Sequence, residues 1–247
     1  MWKQFFEICD VLCRLIPSRK LRRKIRMERL YDWRRKYNAL RGAFPELNFR
    51  HTKMIKGGWN IGFIVDNKYV FKIRKAFDKH TPSDKIMREK RITDAFAPIA
   101  APIRIPKIDV VNAGDYTFFK YDFIPGKNMN TLPLRTITRY RDAWGKQIGE
   151  FIYRMHNATP IGLDDIQAEH DGDGWNHNDI CNNIIVDKKT MRVVGIIDWE
   201  YAGWGMLDTE FENATLFSEK IKKSGIGDEI AKTYNNMKKI NSCQTIS

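Results

Sequence analysis

The chain is short of the features that would place it at once. Its four cysteines, Cys9, Cys13, Cys181 and Cys243, have no zinc spacing and are too scattered for a disulfide framework. That usage argues against a stapled secreted module or a zinc-built fold and suggests a reducing, cytoplasmic compartment. No apolar run approaches the length of a bilayer span. The N-terminal apolar residues are broken by Glu7 and Asp10 and come before the basic cluster, the reverse of a secretory signal. Neither an internal repeat nor a low-complexity tract is present. Acidic residues are also scarce, 30 against 43 Lys and Arg, leaving a formal net charge of +13 over 247 residues. Such a balance favours an anionic partner.

The basic excess is local. Residues 1–41 hold thirteen Lys and Arg against four Asp and Glu. Residues 2–16 space Trp2, Phe5, Phe6, Cys9, Leu12, Cys13 and Ile16 by three and four, one face of a helix. A strongly basic helical stretch follows over 18–37, and Gly42 and Pro45 close it. An aromatic amphipathic helix followed by a basic one suits an anionic membrane surface, or else a helical pair packed on the domain that follows. Nucleic acid is a weaker rival, since Trp33 and Tyr37 among arginines could stack on bases.

What is present beyond residue 46 reads first as strands. Residues 51–55, 61–65 and 69–74 form three antiparallel strands with connections at Gly57-Gly58 and Asp66-Asn67. A loop at 79–82 leads to a helix over 84–96, after which Pro98, Pro102 and Pro106 forbid a helix. Residues 108–111 and 116–123 make a hairpin, and Pro125-Gly126 breaks the chain. Helices are expected over 134–157, 208–218 and 228–240. The segments are then a basic helical extension over 1–45, a small sheet-rich lobe over 46–124 and a mainly helical lobe over 125–247.

The most informative stretch runs from Trp175 to Glu200. His177-x-Asp179 and Asn182-Asn183 precede an apolar run, Ile184-Ile185-Val186, and a second apolar run ends in Asp198. A hairpin would bring a carboxylate, an amide oxygen and a second carboxylate together, oxygen chemistry suited to Mg²⁺ with phosphates. Asp179 can accept the proton of a hydroxyl acceptor. His177 is expected to support the loop by bonding backbone near Asp198. In the N-terminal hairpin, Gly57-Gly58 lets backbone N–H groups approach a phosphate. Lys72 lies mid-strand and shares a face with Val70, which could cover an adenine ring. Glu89 is a fitting partner for Lys72, with Asp84 and Glu169 as rivals.

The ordered set of Gly57-Gly58, Lys72, Glu89, the Tyr121-x-x-Ile124-Pro125-Gly126 linker, His177-Asn178-Asp179, Asn183 and Ile197-Asp198-Trp199-Glu200 resembles the aminoglycoside phosphotransferase and choline kinase group of protein-kinase-like enzymes. The resemblance covers roughly residues 50–215. It implies an α+β, two-lobe fold with ATP and Mg²⁺ as cofactors. Lys72 would hold the α- and β-phosphates, Glu89 would orient Lys72, and residues 121–124, including Tyr121 and Phe123, would line the adenine pocket by backbone hydrogen bonds. Asp179 would be the catalytic aspartate, Asn183 and Asp198 would bind Mg²⁺, and Asp208 would brace the catalytic loop. One departure stands out: Asp179 and Asn183 are one residue closer than the family's spacing. Either Asn183 reaches the metal through a tighter loop, Asn182 replaces it, or the protein binds nucleotide without turnover. Trp199, Glu200, Tyr201 and Trp204 are candidate acceptor contacts. Residues 15–26 also resemble N-terminal segments of bacterial surface-polysaccharide assembly enzymes. Together these imply a kinase acting on a hydroxyl of a cell-surface glycan (lipopolysaccharide or capsule) at the inner face of the membrane, with a choline- or aminoglycoside-type acceptor as the alternative.

Overall fold

The computed structural model describes residues 12, 15–25, 33–56, 60–74, 83–216 and 218–244. Most of the helix expected over 2–16, the Gly57-Gly58 connection and the loop at 79–82 lie outside these residues. The chain forms two compact units, residues 1–86 with 108–123 and residues 87–107 with 124–247.

The first unit is an antiparallel sheet in the order β1-β2-β3-β5-β4, built from β1 (Thr52–Lys56), β2 (Asn60–Val65), β3 (Tyr69–Arg74), β4 (Asp109–Ala113) and β5 (Tyr116–Asp122). Alternation decides which side chains enter its core. Ile61, Phe63 and Val65 of β2 and Phe71 and Ile73 of β3 are buried together with Phe118 of β5. The helix Trp33–Ala43 adds Leu40 to that core, with Trp33, Tyr37 and Phe44 packed around it. Burial of Lys36, 3% exposed, is offset by donation from its Nζ to Arg74 O at 2.9 Å. This part of the basic segment is therefore a structural element of the sheet unit. Tyr37 is likewise committed: its hydroxyl donates to Phe49 O and its ring packs on Phe49 and Phe63. The unit also carries a groove of about 730 Å³ lined by Tyr37, Asn38, Arg41, Asn48, Phe49 and Arg50, among others.

The second unit is organised around the helix Leu134–His156, whose buried face carries Trp144, Ile148, Phe151, Ile152 and Met155. The helix Ile226–Gln244 lies against it at Gly145 and Gly149, where a Cβ on Gly149 would stand 2.6 Å from Ile230 O. Hairpin β8 (Ile184–Val186) with β9 (Val193–Ile196) joins β6 (Lys127–Asn128) in a small sheet. Gly126, with φ of +157°, lies so close to β8 that a Cβ would meet Val186 O at 2.6 Å. A second short ladder pairs β7 (Gly174–Asn176) with β10 (Gly203–Gly205). No helix among the described residues is long and apolar enough to cross a membrane.

One helix boundary differs from the expectation. The helix Ser83–Ala100 runs through Pro98, which the sequence suggested would forbid it. Ile92, Phe96 and Ala100, four residues apart, are all buried in the second unit's core. Their packing outweighs one missing hydrogen bond in the last turn.

Candidate active site

The loop between β7 and β8 carries Asp179, and a turn of 3-10 helix, Ile180–Asn182, leads from it into β8. Asn182 Nδ2 donates to Asp179 Oδ1 at 2.7 Å. Asn183 Nδ2 donates to Asp179 Oδ2 at 2.9 Å and to its backbone oxygen at 3.0 Å. The tight turn thus brings Asn183 onto Asp179 although the loop is one residue short. Burial raises the Asp179 pKa; the two asparagine amides pull it down, and the charges of Asp198 and Glu200 push it further up.

Strand pairing brings Asp198 to the same place. Ile184 pairs with Ile196, and Ile197 N–H donates to Asn183 O at 3.0 Å, so Asp198 follows directly beside the loop. Asp198 has φ of +66° and Asn178 φ of +63°, left-handed conformations that Asp and Asn tolerate better than most residues. His177 does what the sequence suggested: its Nε2 bonds Ile197 O at 3.1 Å.

The two asparagines differ in what they have left to offer. The Asn182 side-chain oxygen accepts from Asn130 Nδ2 at 2.7 Å while its nitrogen serves Asp179. Asn183 uses its nitrogen on Asp179, which turns its oxygen away as an acceptor. Asn183 Oδ1 and the Asp198 carboxylate therefore fit a hard cation that takes its remaining oxygens from phosphates and water. Among the described residues no cluster of three or more His, Cys, Asp or Glu could hold a metal by itself.

Two expectations need correction. Asp208 is exposed in the first turn of the helix Leu207–Leu216 and does not brace the loop. Glu210 does: its Oε2 accepts the backbone N–H of His177 and, at 3.0 Å, that of Asn178. Glu210 is buried, and burial raises its pKa to about 7. The signal was in the sequence, because Leu207, Glu210 and Phe211 share the inward helical spacing that Asp208 lacks. Trp199, a candidate acceptor contact, is 0% exposed. Its ring packs on Phe96, Phe151 and His177, so it belongs to the core and touches no acceptor. Glu200 and Trp204 are only partly buried, and Trp204 packs edge-on against Trp175.

The remaining site candidates are placed as follows. Glu89 is buried and accepts the Trp199 N–H at 3.2 Å, tying the helix Ser83–Ala100 to the segment after Asp198. The rival Glu169 pairs with Arg88 at 2.9 Å. In the first unit, Lys72 is 7% exposed, pairs with Phe119 across the ladder and holds its Nζ 5.2 Å from that ring. Val70, also buried, pairs with Tyr121, and both lie outside the core that takes Phe71 and Ile73. Phe123 N–H donates to Lys68 O at 2.8 Å, so that amide is occupied by the sheet.

Residues 163–218, which hold the Asp179 loop, the β8–β9 hairpin, Asp198 and Glu210, match the family model described as the phosphotransferase enzyme family. The fold is that of the aminoglycoside phosphotransferases. Aminoglycoside phosphotransferase APH(2'')-Ib, bound to ADP, superposes with a TM-score of 0.57 at 16% identity, over 80% of this chain and 81% of that one. Wild-type aminoglycoside 2'-phosphotransferase-IIIa, in a GDP complex, gives 0.61 at 12% identity over 81% and 82%. The macrolide 2'-phosphotransferase MphH from Brachybacterium faecium gives 0.51 at 12% identity over 81% and 82%. No curated protein matches the chain. With this two-lobe, protein-kinase-like α+β fold, the first unit corresponds to the sheet lobe and the second to the helical lobe that carries the phosphotransferase segment.

Proposed function

We propose that the protein is an ATP- and Mg²⁺-dependent phosphotransferase with a hydroxyl acceptor, most specifically a sugar hydroxyl of a cell-surface glycan at the inner face of the membrane. The observation that carries the reaction class is the meeting of Asp179, Asn183 and Asp198 on the segment matched by the phosphotransferase family model.

Asp179 is the catalytic aspartate in this reading. It orients the acceptor hydroxyl and takes its proton as the acceptor oxygen bonds to the γ-phosphorus. The bond from that phosphorus to the β–γ bridging oxygen breaks, and ADP leaves with the electron pair. Partial burial raises the proton affinity of the carboxylate, while the amides of Asn182 and Asn183 lower it and keep the group aimed. Asn183 and Asp198 would hold Mg²⁺, which when bound would neutralise phosphate charge. Lys72 contributes a cation to the nucleotide phosphates, with Gly57 and Gly58 as backbone donors. Val70, Tyr121 and Phe123 contact the base, and Glu89 is assigned the role of the acid that would orient Lys72.

The glycan acceptor is supported by the anion-favouring charge of residues 1–41 and by the groove that combines Arg41 and Arg50 with Asn38, Asn48 and aromatic rings. Aromatic faces and amides suit sugars, and guanidinium groups suit their phosphate or carboxylate substituents. A choline- or aminoglycoside-type acceptor is favoured instead by Glu200 and Asp198, whose negative charge acts on Asp179. Kanamycin and gentamicin are bound in two of the similar structures.

Purified protein with Mg²⁺-ATP should transfer γ-phosphate to a lipopolysaccharide core oligosaccharide in preference to choline or kanamycin. Asp179→Ala should lower transfer by at least about a hundredfold. Transfer to kanamycin or choline alone would replace the glycan assignment. Undiminished transfer by Asp179→Ala would refute the catalytic role. Mg²⁺-dependent ATP binding with no turnover would make the protein a nucleotide-binding adaptor.

A further inference from the structure

The catalytic loop is gripped on two sides. Glu210 holds the backbone ahead of Asp179. On the other side stands a residue fifty-two positions away: Asn130 Nδ2 donates to Asn182 Oδ1 at 2.7 Å, and Asn182 Nδ2 donates to Asp179 Oδ1 at 2.7 Å. A side-chain amide has an acceptor at one end and donors at the other. Whatever meets the Asn182 oxygen therefore decides whether Asp179 faces an N–H or a lone pair.

We propose that Asn130 is a positioning residue for phosphoryl transfer, fixing the Asn182 amide so that its N–H end faces the Asp179 carboxylate. The inference rests on the phosphotransferase reading above. Asn130 is itself held on several sides. Its N–H donates to Asn128 Oδ1 at 2.9 Å, Ser218 Oγ donates to its Oδ1 at 3.4 Å, and Lys220 Nζ donates to its carbonyl and, at 3.0 Å, to that of Leu132. Asn128 Nδ2 also donates to the Asn182 carbonyl, and β6 anchors the segment on β8 through Asn128 and Ile185. The Asn182 side chain is thus oriented by a neighbour that is itself held on several sides.

Asn130→Asp tests this with little change of shape. It places a carboxylate oxygen where the donor stood, so the Asn182 amide turns over and sets its oxygen against Asp179. In Mg²⁺-ATP hydrolysis without acceptor, kcat should fall about tenfold or more while KM for ATP holds. In an Asn182→Ala background the same substitution should cost no further activity, because the two residues act as one unit. Additive losses, or a fall expressed in KM, would overturn the proposal. Thermal melting checks that each variant folds, and Asn130→Ala should lose less than Asn130→Asp. A second readout needs no turnover. The ¹⁵N side-chain amide resonance of Asn182, assigned by its disappearance in Asn182→Ala, should shift and exchange faster in Asn130→Asp; an unmoved resonance would also overturn it. If the wild type does not turn over Mg²⁺-ATP, the phosphotransferase reading fails, and the resonance still decides the role of Asn130.

Discussion

Lys72 in the first unit and Asp179 in the second are both partly or wholly removed from water, yet they are held by different means. Lys72 is set by a ladder: β2 and β5 flank β3, Gly62 and Phe119 are its cross-strand partners, and its direction follows from strand alternation. Asp179 lies on a loop and is set by side chains drawn from residues near 130, 183 and 210. Backbone ladders place a group through many weak, redundant contacts. Polar side-chain networks place it through a few contacts whose loss leaves buried groups unsatisfied. Substitutions of the groups themselves should therefore be severe in both units, whereas substitutions of their surroundings should be tolerated in the first unit and costly in the second.

Replacing Lys72 by Met should lower kcat/KM for ATP by about a hundredfold or more, with little change in melting temperature, because the stem still fits the strand. Steady-state kinetics beside a thermal melt would check both halves. On the other side, Glu210→Ala strands the buried N–H groups of His177 and Asn178. It should cost roughly 2–3 kcal/mol of stability and lower kcat, as read by urea unfolding and hydrolysis. Glu210→Gln, which retains an acceptor, should recover most of the stability. Gly149→Ala tests the helix pair beneath the loop. Its Cβ would stand 2.6 Å from Ile230 O, so a loss of roughly 1–3 kcal/mol is expected.

Two further effects are in pH dependence, and they run in opposite directions. Glu210 has its pKa raised from 4.5 to about 7 by burial, so the folded protein binds its proton more tightly than the unfolded chain. Its contribution to stability is full below pH 4.5 and is lost as pH rises through about 7. His156 is lowered from 6.5 to about 4, again by burial, and its Nε2 bonds Asn176 Oδ1 at 2.8 Å. Its contribution is full above pH 6.5 and is lost as pH falls through about 4. Between pH 4.5 and 6.5 the two oppose each other. Glu210→Gln should remove only the loss toward pH 7, and His156→Gln only the loss toward pH 4, measured as melting temperature against pH.

The same contrast governs how much could be read from the sequence. The strands of the first unit, the inward face of the helix Leu134–His156 and the β8–β9 hairpin follow from local periodicity, and that was enough to anticipate that Asp179, Asn183 and Asp198 would converge. Contacts between distant residues were not legible. Asp208 and Glu210 both stand at the start of one helix; the spacing of Leu207 and Phe211 marks Glu210 as the inward acid, but not that it reaches the backbone of His177 and Asn178. Trp199 follows Asp198 directly, but its ring is claimed by Phe96, Phe151 and His177. Asn128 and Asn130 look like ordinary turn residues until β6 pairs with β8. Pro98 ends no helix because Ala100 is buried beyond it.

The shortened loop poses the decisive question, which is whether Asn183, as proposed, or Asn182 meets the metal. Titrating Mg²⁺ into the ADP-bound wild type, Asn182→Ala and Asn183→Ala proteins, with nucleotide affinity as the readout, addresses it directly. Asn183→Ala should weaken the Mg²⁺-dependent gain in affinity by about tenfold or more, while Asn182→Ala keeps it. Loss of that gain in Asn182→Ala with its retention in Asn183→Ala would contradict the assignment of Asn183 and Asp198 as the metal-binding pair.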